Sequence, residues 1–199
     1  MKKLAIILLI IGALFMAAGG YQWFKTNYAQ SSSLDEAKNI LAEAKNETFG
    51  TSISSNNTDH FQPAEGETVG ILNIPRLEAD LPIVEGTDED ELEKGVGHYN
   101  GTAYPLQNDQ IVLSGHRDTV FRRMGELELG DILNVQLPYG DFSYKIVETE
   151  IVDADDRSVI SPTAPEEVLT VTTCYPFTYI GNAPERYIIT ALPVEETDQ

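Results

Sequence analysis

The longest uncharged run in the chain is its most informative pattern. Every residue from Leu4 to Gly20 (LAIILLIIGALFMAAGG) is apolar or small; Lys2 and Lys3 precede the run, and Tyr21, Trp23, Phe24 and Lys25 follow it. A spanning helix needs about 20 apolar residues, so residues 4–24 read as a transmembrane anchor with aromatic residues at its outer edge. The basic start places the N-terminus inside and everything after residue 24 outside. The competing reading is a cleaved signal peptide, because Ala17 and Gly19 are small residues at suitable spacing. The apolar run is longer than the roughly 7–15 residues of a signal core, which favours the anchor.

After the anchor the pattern weakens. Ser33-Leu34-Asp35-Glu36 has the form of a capping box, and Leu34, Ala37, Leu41 and Ala44 recur at helical spacing. This predicts a short helix over 34–46 whose apolar face is thin and alanine-rich. Residues 47–66 are polar, follow neither period and read as a linker, with His60 a solvated loop histidine. Residues 25–66 are therefore expected to form an extracellular stalk and linker.

From Glu67 onward, short β-prone runs alternate with Gly, Pro, Asn and Asp. Strands are predicted at 68–74, 79–84, 110–114, 132–136, 142–151, 168–173 and 187–192. A short helix is expected over 88–94, capped by Thr87 and stopped by Gly95, and a helical turn over 119–124. The domain 67–199 thus reads as mainly β, a closed or nearly closed barrel of about seven or eight strands with short helices.

Composition adds little to this, but charge adds more. The net charge is −19, and residues 31–199 carry 32 acidic against ten basic residues, a net −22. Such a surface repels nucleic acid, whose binding needs clustered Lys and Arg. It suits solubility, or a cationic partner. The acidic runs at 88–93 and 153–156 offer hard oxygen ligands of the kind calcium takes, but neither has EF-hand spacing. No cofactor and no defined metal ligand set are predicted, and calcium is the one cation left open.

Cys174 is the sole cysteine, so the chain has neither an internal disulfide nor a C-x-x-C pair. It follows the β-prone run Val168–Thr173 and precedes Tyr175-Pro176, which places it at the end of a strand. Free cysteine is commonly a small core residue; as a nucleophile it needs a neighbouring base or positive charge. Two histidines are candidate bases. His116 follows a predicted strand and Gly115, and His98 lies in Gly97-His98-Tyr99-Asn100. Arg186 opens the last strand, and a hairpin from Cys174 would return it toward the sulfur.

Taken together, these segments resemble the sortase family. Thr170-Val171-Thr172-Thr173-Cys174 is similar to the signature TLxTC, with Val171 at the Leu position. Ser114-Gly115-His116-Arg117 resembles the family's histidine segment, and Arg186-Tyr187-Ile188-Ile189 the arginine that opens its last strand. Order and spacing match over about residues 66–194, most like class D and next like class A. The resemblance implies a sortase-type β-barrel with Cys174 as nucleophile, His116 rather than His98 as acid/base, and Arg186 as electrostatic stabiliser. Ser114 and Thr173 match positions that orient substrate or catalytic groups.

The implied activity is cysteine transpeptidation. A sorting signal of LPxTG or LPNTA-like type on an exported protein is cleaved after Thr. The acyl group passes through a thioester on Cys174 to an amine of a peptidoglycan precursor. The enzyme would sit in the cell membrane of a Gram-positive bacterium through residues 4–24. The alternatives are a secreted cysteine peptidase acting by hydrolysis and a non-catalytic, acidic, membrane-tethered binding domain.

Overall fold

The computed structural model describes residues 2–48, 61–179 and 181–194. The middle of the predicted linker (49–60), with His60, lies outside the described residues, as does the acidic tail 195–199.

One helix, α1 (Lys2–Thr48), runs without a break through the predicted anchor, the first part of the stalk and the separate short helix. No Gly or Pro interrupts the chain between Tyr21 and Asn46, so nothing stops the helix once it is running. Ser33 is therefore mid-helix and 5% exposed rather than an N-cap. The thin face also packs better than its composition suggests. Ala37 is fully buried and Leu41 is 7% exposed, both against Ile71 of the barrel. Ser33 and Ala37, small and buried at i and i+4, share one face of the helix and let it lie close to the sheet. The Thr68 hydroxyl donates to Glu36 (2.8 Å), and Lys25 pairs with Glu93 (2.7 Å). Below that contact, Leu4, Ile7, Leu9, Leu14 and Phe15 are all more than half exposed. The helix is long and apolar enough there to cross a membrane.

The rest is a closed eight-stranded barrel. Its strands are β1 (Thr68–Ile74), β2 (Ala79–Glu85), β3 (Val96–His98), β4 (Gln110–Gly115), β5 (Ile132–Leu137), β6 (Gly140–Asp153), β7 (Val168–Tyr175) and β8 (Glu185–Pro193), in the order β1-β2-β3-β4-β7-β8-β6-β5. The seven predicted strands are all present. The eighth, β3, is three residues long and too short to show a period. It pairs parallel with β2 and antiparallel with β4, and without it the barrel would be open. Helix α2 (Glu89–Lys94) starts one residue later than expected, with Asp88 rather than Thr87 at its N-cap. The segment expected as a helical turn, 119–124, forms hydrogen-bonded turns (Arg122 N to Thr119 O, 3.4 Å; Met124 N to Phe121 O, 3.1 Å) that lead into a 3₁₀ turn at Met124–Glu126.

The barrel is filled by inward side chains from every long strand, among them Leu72, Leu113, Leu133, Tyr144, Leu169 and Ile189, each 1% exposed or less. Each such aliphatic contributes about 1.5–3 kcal/mol. Strand β1 is covered on both faces: Leu72 and Ile74 face the core, and Ile71 faces α1. Where the linker re-enters the described residues it is also packed, with the Phe61 ring edge-on to Tyr104 (4.9 Å) and near Tyr139 (5.1 Å).

Gly70 marks a tight point in this closure. A Cβ there would lie 2.1 Å from the main-chain oxygen of Gln136 on β5. Gly70→Ala is expected to lower stability by about 1–3 kcal/mol, seen as a lower denaturation midpoint with an unchanged m-value.

Candidate active site

Strand register assembles the site. β4 and β7 run parallel with Gly115 opposite Thr173, so His116, one residue further on, comes level with Cys174. β7 and β8 run antiparallel with Cys174 directly opposite Arg186. Directly opposed residues project from the same face, with Cβ atoms about 4.5–5.5 Å apart. Along β7, Leu169, Val171 and Thr173 are buried to 2% exposure or less, and Thr170, Thr172, Thr173 and Cys174 line an outer groove.

That groove is a hollow of about 330 Å³ containing Cys174, His116, Arg186 and Ser114. Its apolar surface comes from Val112, Val159, Ile160 and Ile188. A second hollow of about 320 Å³ adjoins it and shares His116, Cys174 and Arg186. Cys174 is partly exposed, so it is not a sealed core thiol. The two further sequence candidates, Ser114 and Thr173, both line the groove; Thr173 is 2% exposed and its hydroxyl donates to the carbonyl of Gly115 (2.7 Å). Thr173 thus ties the end of β4 to β7.

The turn that presents His116 depends on Gly115. A Cβ at that position would meet the ring of Phe121 at 2.6 Å and Val120 at 2.8 Å. Phe121 is fully buried, and its N–H donates to the His116 carbonyl (3.0 Å). Arg186 donates to the carbonyls of Glu185 (3.0 Å) and Ala183 (3.4 Å).

His98 is placed apart from this site and is 1% exposed. Its Nδ1 lies 2.7 Å from Glu85 Oε2 and its Nε2 lies 2.9 Å from the Ala103 carbonyl. The Tyr104 ring stacks on it at 3.9 Å, and the Tyr104 hydroxyl donates to the same Glu85 oxygen. Burial, with the Glu85 hydrogen bond behind it, pushes the Tyr104 phenol above its ordinary range, so it stays a donor. His98 is therefore a packed structural residue.

Sequence reading missed the residues that hold one wall of the groove. The loop after β6 supplies Ala154, Asp156, Arg157, Val159 and Ile160, and it is tied down from the start of β4. The Gln110 amide donates to Val159 O (2.7 Å) and Thr170 Oγ1 (2.9 Å) and accepts from Ser161 N (2.9 Å). Asp109 accepts from Thr163 N (2.6 Å) and Ala164 N (3.1 Å). Backbone N–H groups of Gln110 and Thr163 hold the Asp109 carboxyl below its ordinary value. The partners lie 49 to 60 residues away, and no local signal marks them. Of the acidic residues suggested for calcium, Asp88 and Glu91 gather with Glu65, their oxygens within 4.8 Å of one another.

A strand-borne thiol beside a histidine and an arginine, in an open groove on a closed barrel, is the layout of a cysteine acyltransferase. A papain-like site would place its nucleophile at a helix start. The sortase domain family model matches residues 72–194. The chain is 53% identical to Sortase D of Bacillus subtilis over 193 residues, covering 95% of this chain and 97% of that one. It is 30% identical to Sortase SrtE1 of Streptomyces coelicolor over 188 residues, 85% of this chain and 51% of that protein. Among solved structures, a Clostridium perfringens Sortase D5 transpeptidase superposes with a TM-score of 0.66 at 27% identity, covering 80% of this chain and 98% of the other. A sortase from Actinomyces oris gives 0.62 at 31% identity, covering 67% and 83%. The chain belongs to the sortase family. It is a cysteine transpeptidase of the kind that anchors proteins to the cell wall, and the class D likeness is borne out.

Two outcomes are expected. Iodoacetamide should add one carbamidomethyl group to the native protein, located at Cys174 by peptide mass spectrometry. Asp109 has a lowered folded-state pKa, so its contribution to stability is present above the ordinary carboxyl value of 3.8 and fades as pH falls below it. Asp109→Asn should therefore flatten the decline of stability with acidification below about pH 4, measured by chemical denaturation across pH.

Proposed function

We propose that Cys174, His116 and Arg186 are the catalytic groups, and that the substrate is a C-terminal sorting signal of LPxTG or LPNTA-like type. The carrying observation is the register that sets Gly115 beside Thr173 and Cys174 opposite Arg186. The apolar groove lined by Val112, Val159, Ile160 and Ile188 suits the Leu-Pro portion of such a signal.

In the first half-reaction the Cys174 thiolate attacks the main-chain carbonyl carbon of the signal's Thr. The C–S bond forms, the C–N bond breaks, and the His116 imidazolium donates its proton to the leaving amine. Arg186 faces the developing oxyanion. Its guanidinium stays charged and cannot act as the base. In the second half-reaction an uncharged amine of a peptidoglycan precursor attacks the thioester and His116 takes its proton. The thiolate leaves, which restores the starting pair. Ser114, on the groove wall, orients the bound chain, and Thr173 acts through its bond to Gly115. No step requires a metal.

Residues 4–24 hold the enzyme in the cell membrane, with the N-terminus inside and the barrel outside. Lys2 and Lys3 on one side and the exposed Tyr21, Trp23 and Phe24 on the other support that orientation.

A sorting-signal peptide panel with mass spectrometric detection tests the reading. The expected product is an acyl adduct on Cys174, abolished in Cys174→Ala. His116→Ala should lose nearly all transfer, and Arg186→Lys, which lacks the forked donor geometry, should lower kcat about 10²–10³-fold. Unchanged circular dichroism would show that the fold is kept. Transfer in Cys174→Ala, or full activity in Arg186→Lys, would overturn the assignment. In a calcium titration, the expected activity is the same in calcium as in EDTA.

A further inference from the structure

Two hollows meet at Cys174, and the chemistry gives each a use. An enzyme that releases one amine and admits another needs one approach to its sulfur for the acyl chain and one for the nucleophile. The apolar groove suits the acyl chain. The second hollow is walled by the turn after His116 and by Gly181 and Asn182 on the loop between Cys174 and Arg186. Beyond the three shared groups, its charged residues are Arg117 and Asp118.

Arg117 is committed to the protein. Its Nη2 donates to the carbonyls of Tyr179 (2.6 Å) and Gly181 (2.8 Å), and its guanidinium lies 5.9 Å over the Tyr179 ring. Its Nη1 is sealed from solvent. Asp118 differs. Its main-chain carbonyl is held by Arg122 through Nε (3.0 Å) and Nη2 (2.6 Å). Its side chain is exposed and has no ion-pair partner among the described residues.

We infer that this second hollow is the acceptor site, and that the Asp118 carboxylate is the counterion of the incoming primary ammonium. The inference rests on the transpeptidase reading and extends it to where the acceptor binds. Primary amines arrive protonated at neutral pH, while Arg117 and Arg186 both border the hollow and repel a cation. Among the described residues Asp118 is the one acidic residue lining it, and it offsets that repulsion. The bound ammonium loses one proton to solvent. The resulting amine attacks the thioester carbonyl as His116 takes the second proton, a C–N bond forms, the C–S bond breaks, and the sulfur leaves as thiolate. Replacing Asp118 with a neutral residue leaves two guanidinium groups unopposed.

The test compares two nucleophiles on the Cys174 thioester of the full-length protein. Butylamine is a cation at neutral pH and hydroxylamine is uncharged there. The readout is the ratio of their transfer rates in the same preparation, so a general loss of activity or folding cancels. Asp118→Asn is expected to lower the butylamine-to-hydroxylamine ratio about fivefold. Asp118→Glu should restore it, and the difference should shrink in high salt. An unchanged ratio in Asp118→Asn, or equal loss with both nucleophiles, would overturn the acceptor role while leaving the transpeptidase reading intact. Absence of any thioester in the unsubstituted protein would overturn both.

Discussion

The site exists because β7 is paired on both edges by strands that end or begin near the same level. Its parallel partner β4 stops at Gly115, and its antiparallel partner β8 starts at Glu185. Hydrogen-bonded ladders fix these offsets to the residue. A slip by one position on either edge would turn side chains to the opposite face and separate sulfur, imidazole and guanidinium. Closure of the barrel makes such a slip costly, because a shift at β7 propagates through β8, β6 and β5 to the close contact at Gly70. Distant core packing and local chemistry are in this sense one constraint.

Much of this was legible in the chain. The short β-prone runs point to seven strands and place Cys174, His116 and Arg186 at strand ends; choosing His116 over His98 takes the resemblance to the sortase family. The failures have physical causes. β3 is three residues long, below the length at which alternation can be recognised. Ser33 looked like a cap because capping chemistry is local, whereas its fate was decided by an uninterrupted helix arriving from upstream. Ala37 looked like a weak contact, yet a small side chain is what close helix–sheet packing requires. The Gln110 and Asp109 bonds join segments about fifty residues apart, which no local pattern encodes.

The two histidines show how environment separates identical side chains. His98 has a polar partner at each ring nitrogen and a phenol stacked on its face, so its hydrogen-bonding capacity is used within the core. His116 stands on a turn braced from below by Phe121 and is left partly open to the groove. Composition and spacing alone left both as candidate bases. The fold tells them apart by burial.

The continuous α1 helix has a mechanical consequence. At 1.5 Å per residue it is about 70 Å long, and its outer half is clamped to β1 through Ala37 and Leu41 and to Glu93 through Lys25. The apolar half and the half that carries the barrel belong to one uninterrupted helix. Were residues 4–24 to lie in a bilayer, as proposed above, any tilt of the helix would swing the barrel with it.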